Sequence, residues 1–195
     1  MVTPTFAFII LALYFMLNFK DIETVAQRMG YTVIAILYIS FLMPYVAILL
    51  HLNQGRYLVF LLLAITWGND TFAYAFGRLF HGKVFKRKLY ESLSPNKSIE
   101  GAIGGVVGGV GLAIAAKFLI LGSIPLGDII LVALIMGPMG QSGDLIESMF
   151  KRYFKVKDSG NMIPGHGGIL DRLDAVIINA PILFFYLQFT KGGLF

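Results

Sequence analysis

Residues 148–174 read SMFKRYFKVKDSGNMIPGHGGILDRLD, and ions are dense here for so apolar a chain. Lys151-Arg152 and Lys157-Asp158 come first, then Pro164-Gly165-His166-Gly167-Gly168, then Asp171-Arg172-Leu173-Asp174. Cations and carboxylates alternate around a glycine loop. Such a mixture suits polyphosphates, because cations grip phosphate oxygens while carboxylates hold the divalent ion that bridges them. Glycines let backbone amides approach those oxygens closely. The bland alternative is a basic, Gly- and Pro-rich loop at a membrane surface, and composition alone leaves both readings open.

Acidic residues are scarce elsewhere, so their positions carry information. Asp144, Glu147, Ser148 and Lys151 are spaced by three and four, which puts them on neighbouring turns of one helix face. Glu147 and Lys151 can be an ordinary salt bridge at a helix end. Asp144, however, follows Gly140-Gln141-Ser142-Gly143, a polar stretch inside an apolar run that suggests a cavity for a ligand or ion. Asp70 sits in Asn69-Asp70-Thr71, also inside an apolar run. A carboxylate at the centre of a bilayer costs about 2.5–3.5 kcal/mol, so it normally faces a polar interior. It is either a hydrogen-bond partner between helices or a group facing substrate, and nearby Thr71 and Arg78 favour the second role.

The elements that must position these residues are membrane spans. Hydrophobic residues make up 57% of the 195 and charged residues 14%, against roughly 25% charged in soluble domains. Mean hydropathy is +0.76. Segments of about 20 apolar residues can cross the hydrocarbon core, and six candidates stand out: 4–19, 31–52, 57–77, 102–121, 126–149 and 174–189. The expected fold is all-α, a polytopic transmembrane helix bundle of about six spans with a cytoplasm-facing polar cavity. Residues 1–56 would supply N-terminal transmembrane helices and 57–195 a catalytic transmembrane domain. Pro44, Pro138 and Pro181 fall inside spans, where they are expected to kink the helix.

Charge placement orients the bundle. The net charge is +5, and eleven of the 16 Lys and Arg lie in 78–97 and 151–172. Clustering in two loops is the positive-inside pattern of cytoplasmic loops and argues against nucleic-acid binding. With no cysteine, thiolate metal sites and cysteine nucleophiles are excluded. The three histidines are far apart in sequence, so any metal here should be a hard cation on carboxylates. Gly101, Gly105 and Gly109 repeat at intervals of four, as do Gly104 and Gly108; these small-residue faces fit close helix packing and suit a homodimer.

Order and spacing in 148–174 resemble the signature of phosphatidate cytidylyltransferases (CDP-diacylglycerol synthases). The matching positions are Ser148, Lys151, Arg152, Lys157, Asp158, Gly160, Pro164, His166, Gly167, Gly168, Asp171, Arg172 and Asp174. Upstream, Asn69-Asp70-Thr71 with Gly77-Arg78 resembles the family's N-D-T…G-R block, and Ser94-Pro95-Asn96-Lys97-Ser98-Ile99-Glu100-Gly101 its S-P-K-K-T-x-E-G block. Asn96 replaces the usual first lysine there and Ser98 the usual threonine. The likeness covers about residues 57–189. Family members usually carry more hydrophobic segments upstream, so this chain is expected to be a short member or the remainder of a longer protein.

The resemblance implies an Mg²⁺-dependent enzyme of the cell (inner) membrane, its site facing the cytoplasm, that joins phosphatidate from the bilayer to CTP and releases pyrophosphate. It implies metal ligands at Asp144 and Asp171, with Glu147 and Asp174 as supporting or alternative ligands and room for a second cation. Lys151, Arg152, Lys157 and Arg172 would grip phosphates, His166, Gly167 and Gly168 would shape the loop over them, and Asp158 would orient Lys157. Asn69, Asp70, Arg78, Ser94, Lys97, Glu100 and Ser148 would complete the substrate walls. Two other classes compete: a CTP-dependent polyprenol- or phytol-type lipid kinase, and a transporter, which gives no reason for a phosphate-type loop. A CDP-alcohol phosphatidyltransferase is disfavoured, since its D-G-x-x-A-R string is missing.

Overall fold

The computed structural model describes residues 2–18, 21–80, 82–85, 88–91, 93–122, 124–162 and 167–191. His166 and Pro164 of the signature lie outside the described residues. The chain divides into two compact units, Met1–Pro44 and Tyr45–Phe195; the expected boundary was 56/57.

In the first unit, α1 (Val2–Asn18) precedes α2 (Ile22–Leu42). The α2 helix starts nine residues before the expected span because Asp21 caps it, its carboxylate accepting the Glu23 N–H at 3.0 Å. No residue of α2 is buried.

The second unit holds α3 (Pro44–His51), α4 (Gly55–Phe80), a two-stranded antiparallel hairpin of β1 (Lys88–Tyr90) and β2 (Ser94–Ser98), then α5 (Ile99–Leu119), α6 (Leu126–Tyr153) and α7 (Leu170–Lys191). Pro44 opens α3 after a turn at Met43, and Pro138 and Pro181 are accommodated inside α6 and α7. Among the described residues, five helical stretches have the length and hydropathy to cross a bilayer: Ile22–His51, Gly55–Phe80, Ile99–Leu119, Leu126–Tyr153 and Leu170–Thr190. The first expected span, 4–19, corresponds to α1 (Val2–Asn18), a 17-residue helix. The protein is a polytopic helical membrane protein, and the hairpin is the only pair of strands among the described residues.

The core of the second unit joins Leu58, Leu61, Leu62 and Ile65 of α4 to Ala113 and Ala116 of α5, Val132 and Met136 of α6, and Val176, Ala180 and Leu183 of α7. Glycines bring the helix axes close. A methyl group added at Gly101 would sit 2.7 Å from the Ala73 carbonyl oxygen, and one at Gly109 would sit 3.2 Å from that of Ile65. Phe72 and Phe76 fill the spaces over Gly108 and Gly104. The small-residue faces that suited a homodimer are therefore occupied by α4 of the same chain. Gly140 and Gly143 serve the α6–α7 contact similarly: a Cβ at Gly143 would lie 2.8 Å from the Asp174 carbonyl oxygen. Most large apolar side chains on the outside, such as Phe60, Ile103, Leu134 and Phe185, remain exposed, as lipid-facing residues should.

Candidate active site

Two polar centres lie along α6, one turn apart. The first is a cavity of about 690 Å³ among α4, the hairpin, α5 and α6. Its wall carries Asp70, Tyr74 and Arg78 from α4, Lys88, Asn96 and Lys97 from the hairpin, and Gln141 and Asp144 from α6. Lys97 Nζ reaches Asp144 Oδ2 at 2.6 Å and so ties the hairpin to α6. The side chains are 25% and 36% exposed, but Lys97 Nζ itself is buried, so the open side of the pair is that of Asp144 and the lysine stem. Ser148 Oγ donates to Asp144 Oδ1 at 3.3 Å.

The hairpin is placed by local chemistry. Ser98 caps α5 by accepting the Gly101 N–H at 3.0 Å. Glu100, in the first turn of α5, is buried, and its Oε1 accepts the N–H groups of Val84 and Phe85 at 3.3 and 2.9 Å. It thus fastens the α4–β1 connection instead of lining the cavity. At the tip, Arg152 Nε donates to the Leu93 carbonyl at 3.4 Å. Ser94 begins β2 and does not line the cavity.

The second centre is built on Lys151, whose Nζ lies 2.8 Å from Glu147 Oε2 and 2.7 Å from Asp171 Oδ1. Asp171 Oδ2 accepts three further hydrogen bonds, each at 2.8 Å, from Ser159 N, Ser159 Oγ and Gly168 N. One carboxylate thereby gathers both ends of the loop between α6 and α7. Gly167 has φ +79°, a conformation side chains rarely adopt, and a Cβ there would lie 2.9 Å from Asp171 Oδ2. The glycines of the signature are thus explained first by the loop's own fold. Lys157, Asp158 and Arg172 are exposed around it.

The carboxylates form one field. Asp174, 8% exposed, lies within electrostatic reach of Asp144, Glu147 and Asp70, and Asp70 within reach of Asp144 and Lys97. Glu147 is 3% exposed, and its Oε1 has no hydrogen-bond partner among the described residues. Among those residues no three His, Cys, Asp or Glu side chains stand close enough to grip a metal. The donor chemistry nevertheless fits a hard cation. Oxygens of Asp144 and Asp171 already draw ammonium groups to 2.6 and 2.7 Å, and oxygen is the donor type a hard cation prefers.

Sequence reasoning named Asp70, Arg78, Lys97 and Asp144, which the fold brings to one cavity, and Glu147, Lys151 and Asp171, which it brings to one hub. It did not single out Tyr74, Lys88 or Ser159. Tyr74 lies four residues before Arg78 on the same helix face, which was a usable signal. Lys88 and Ser159 depend on loop folding that spacing does not encode.

The profile of the cytidylyltransferase family matches residues 1–190. The chain is 38% identical over 164 residues to the phosphatidate cytidylyltransferase of Bacillus subtilis, covering 83% of this chain and 59% of that protein. It is 43% identical over 131 residues to the one from Staphylococcus haemolyticus, covering 67% of this chain and 49% of that protein. For the one from Staphylococcus epidermidis the figures are 44% over 128 residues, 66% and 47%. The chain thus spans about half the length of the relatives it matches. It belongs to the cytidylyltransferase family.

Proposed function

We propose that the protein transfers the CMP part of CTP to phosphatidate, giving CDP-diacylglycerol and pyrophosphate. The observation that carries this reading is the polar cavity at the ends of membrane helices, with anion-binding and cation-binding groups on facing elements. Lys97 comes from the hairpin and Asp144 from α6, held 2.6 Å apart. Two anions must meet: a phosphatidate phosphate oxygen attacks the α-phosphorus of CTP, and the bond to the β-phosphate oxygen breaks. Lys97, Lys88 and Arg78 offset the repulsion at the cavity, with Lys151, Lys157 and Arg172 on the loop side. A phosphate oxygen is already anionic near neutral pH, so no protein base is required.

Asp144 and Asp171 would hold a divalent cation, Mg²⁺ by donor type, with Glu147 and Asp174 beside them. Such an ion would supply positive charge to offset that of the triphosphate and the leaving pyrophosphate. The site would face the cytoplasm, where CTP is dissolved, while phosphatidate arrives laterally through the bilayer. The absence of cysteine makes orientation testable: single cysteines at Glu91 and Lys157 should both react with an impermeant reagent from the cytoplasmic side. Labelling from opposite sides would remove the shared site. The activity test is incubation of purified protein in detergent with CTP, phosphatidate and Mg²⁺. CDP-diacylglycerol should accumulate and EDTA should abolish it; no product with Mg²⁺ present would sink the reading.

A further inference from the structure

At the inner wall of the cavity, which Gln141 lines, two amide side chains join three helices. Asn69, on α4, is 1% exposed and precedes Asp70. Its Nδ2 donates to the Gly137 carbonyl of α6 at 3.1 Å, and its Oδ1 accepts from Gln141 Nε2 of α6 at 2.9 Å. Gln141 Nε2 also donates to the Ala102 carbonyl of α5 at 2.9 Å. Both N–H groups of the Gln141 amide are thereby committed, one to α4 and one to α5. The backbone of α5 lies directly on this pair, since a Cβ at Gly105 would be 2.7 Å from the Asn69 carbonyl oxygen.

The network fixes which way each amide faces. Reversing Asn69 would set its oxygen against the Gly137 oxygen, and reversing Gln141 would set its oxygen against two acceptors. With no water in the bilayer core to replace these partners, such a pair holds helices in one register. One turn away, the Thr66 hydroxyl of α4 accepts from Asn179 Nδ2 of α7 at 3.0 Å, but Thr71 and Ser142 do not cross between helices. Thr71 bonds the Trp67 carbonyl and Ser142 the Pro138 carbonyl, each within its own helix.

What the pair holds is the placement of the cavity carboxylates. Asp70 is the next residue after Asn69, and Asp144 lies three after Gln141, on the adjoining turn. We propose that Asn69 and Gln141 are positioning residues: an amide brace that sets the distance between Asp70 on α4 and Asp144 on α6. Asn69 therefore acts through its neighbours and not by touching substrate. The effect on turnover rests on the function proposed above, whereas the geometric effect does not.

The experiment separates the two. Spin labels on cysteines at Leu79 and Met149, exposed positions near the ends of α4 and α6, report the helix separation without any catalysis. Asn69→Leu and Gln141→Met remove the amides at similar size. Each should broaden or shift the label distance distribution and lower kcat by about 30–300-fold, leaving KM for CTP within about threefold. The double variant should be no more than about threefold worse than the poorer single one, because either loss opens the same brace.

An unchanged label distribution in both variants overturns the brace, whatever the activity. So does an unchanged distribution with KM for CTP raised tenfold in Gln141→Met, which would mean direct substrate contact. If the apolar variants do not fold, Gln141→Asn and Asn69→Asp take their place; should these fold with native label distances, the brace is refuted. Failure of all four to fold would make the amides a folding requirement and also overturn positioning. A wild type inactive on CTP and phosphatidate removes the functional reading alone, since the label distances still decide the brace.

Discussion

Asp144 and Asp171 are both carboxylates paired with a lysine, yet the two centres use them differently. Asp144 stands in a cavity wall with its side chain 36% exposed, and its partner Lys97 comes from another element with its Nζ buried against it. Asp171 is only 11% exposed; Lys151 holds one oxygen and three donors converge on the other. On the proposed function, the cavity pair would be divided between ligands, an anion taking Lys97 and a cation Asp144. The Asp171 hub is a fastening for the loop, and its availability to a cation is confined to the oxygen that Lys151 shares.

The largest expected effects test whether these centres form one site. Asp144→Asn and Asp171→Asn should each lower kcat by about a thousandfold or more, roughly 4 kcal/mol of barrier. Combining them should add little, because either loss disables the same unit. If Asp144→Asn stays within about tenfold of wild type, the cavity is not where the chemistry happens. Next comes the sharing of the Lys97–Asp144 pair. Lys97→Met should lower kcat/KM for CTP by about a hundredfold, roughly 2.7 kcal/mol. In EDTA, Asp144→Asn should bind CTP about three- to tenfold more tightly than wild type, since its lysine is released. Weaker binding would show that Lys97 is not held back by Asp144.

The hub predicts smaller effects. Ser159→Ala removes the hydroxyl that both donates to Asp171 Oδ2 and accepts the Asp171 N–H at 3.3 Å, but leaves the Ser159 backbone donor. A loss of about three- to tenfold in kcat is expected, with faster proteolysis between α6 and α7. Asp158→Asn should cost no more than about tenfold, because Asp158 is exposed beside the loop. A larger loss at Asp158 than at Ser159 would reverse the ranking.

The membrane bundle was legible because about 20 apolar residues announce a span. The helices nevertheless run past those windows, and their extensions deliver the chemistry. Arg78 lies beyond the apolar part of α4, Lys151 and Arg152 beyond that of α6, and Asp171 before that of α7. Hydropathy sees where lipid is, not where a helix stops. Spacing correctly put Glu147 and Lys151 together, because i and i+4 meet on any helix. It could not join Lys97 to Asp144 or Ser159 to Asp171, contacts between residues 47 and 12 positions apart on different elements. The hairpin was missed because its strands are short and polar, and Ser94-Pro95-Asn96 reads as a turn.

The central claim, cytidylyl transfer at this cavity, is tested most directly by where the label goes. CTP carrying ³²P at either the α- or the γ-phosphate is incubated with the protein, phosphatidate and Mg²⁺, and lipid is separated from water-soluble products. Label should enter lipid only from the α-position, with one pyrophosphate released per lipid formed, and Asp144→Asn should abolish both. Entry of γ-label into lipid with release of CDP would identify a lipid kinase and contradict the account.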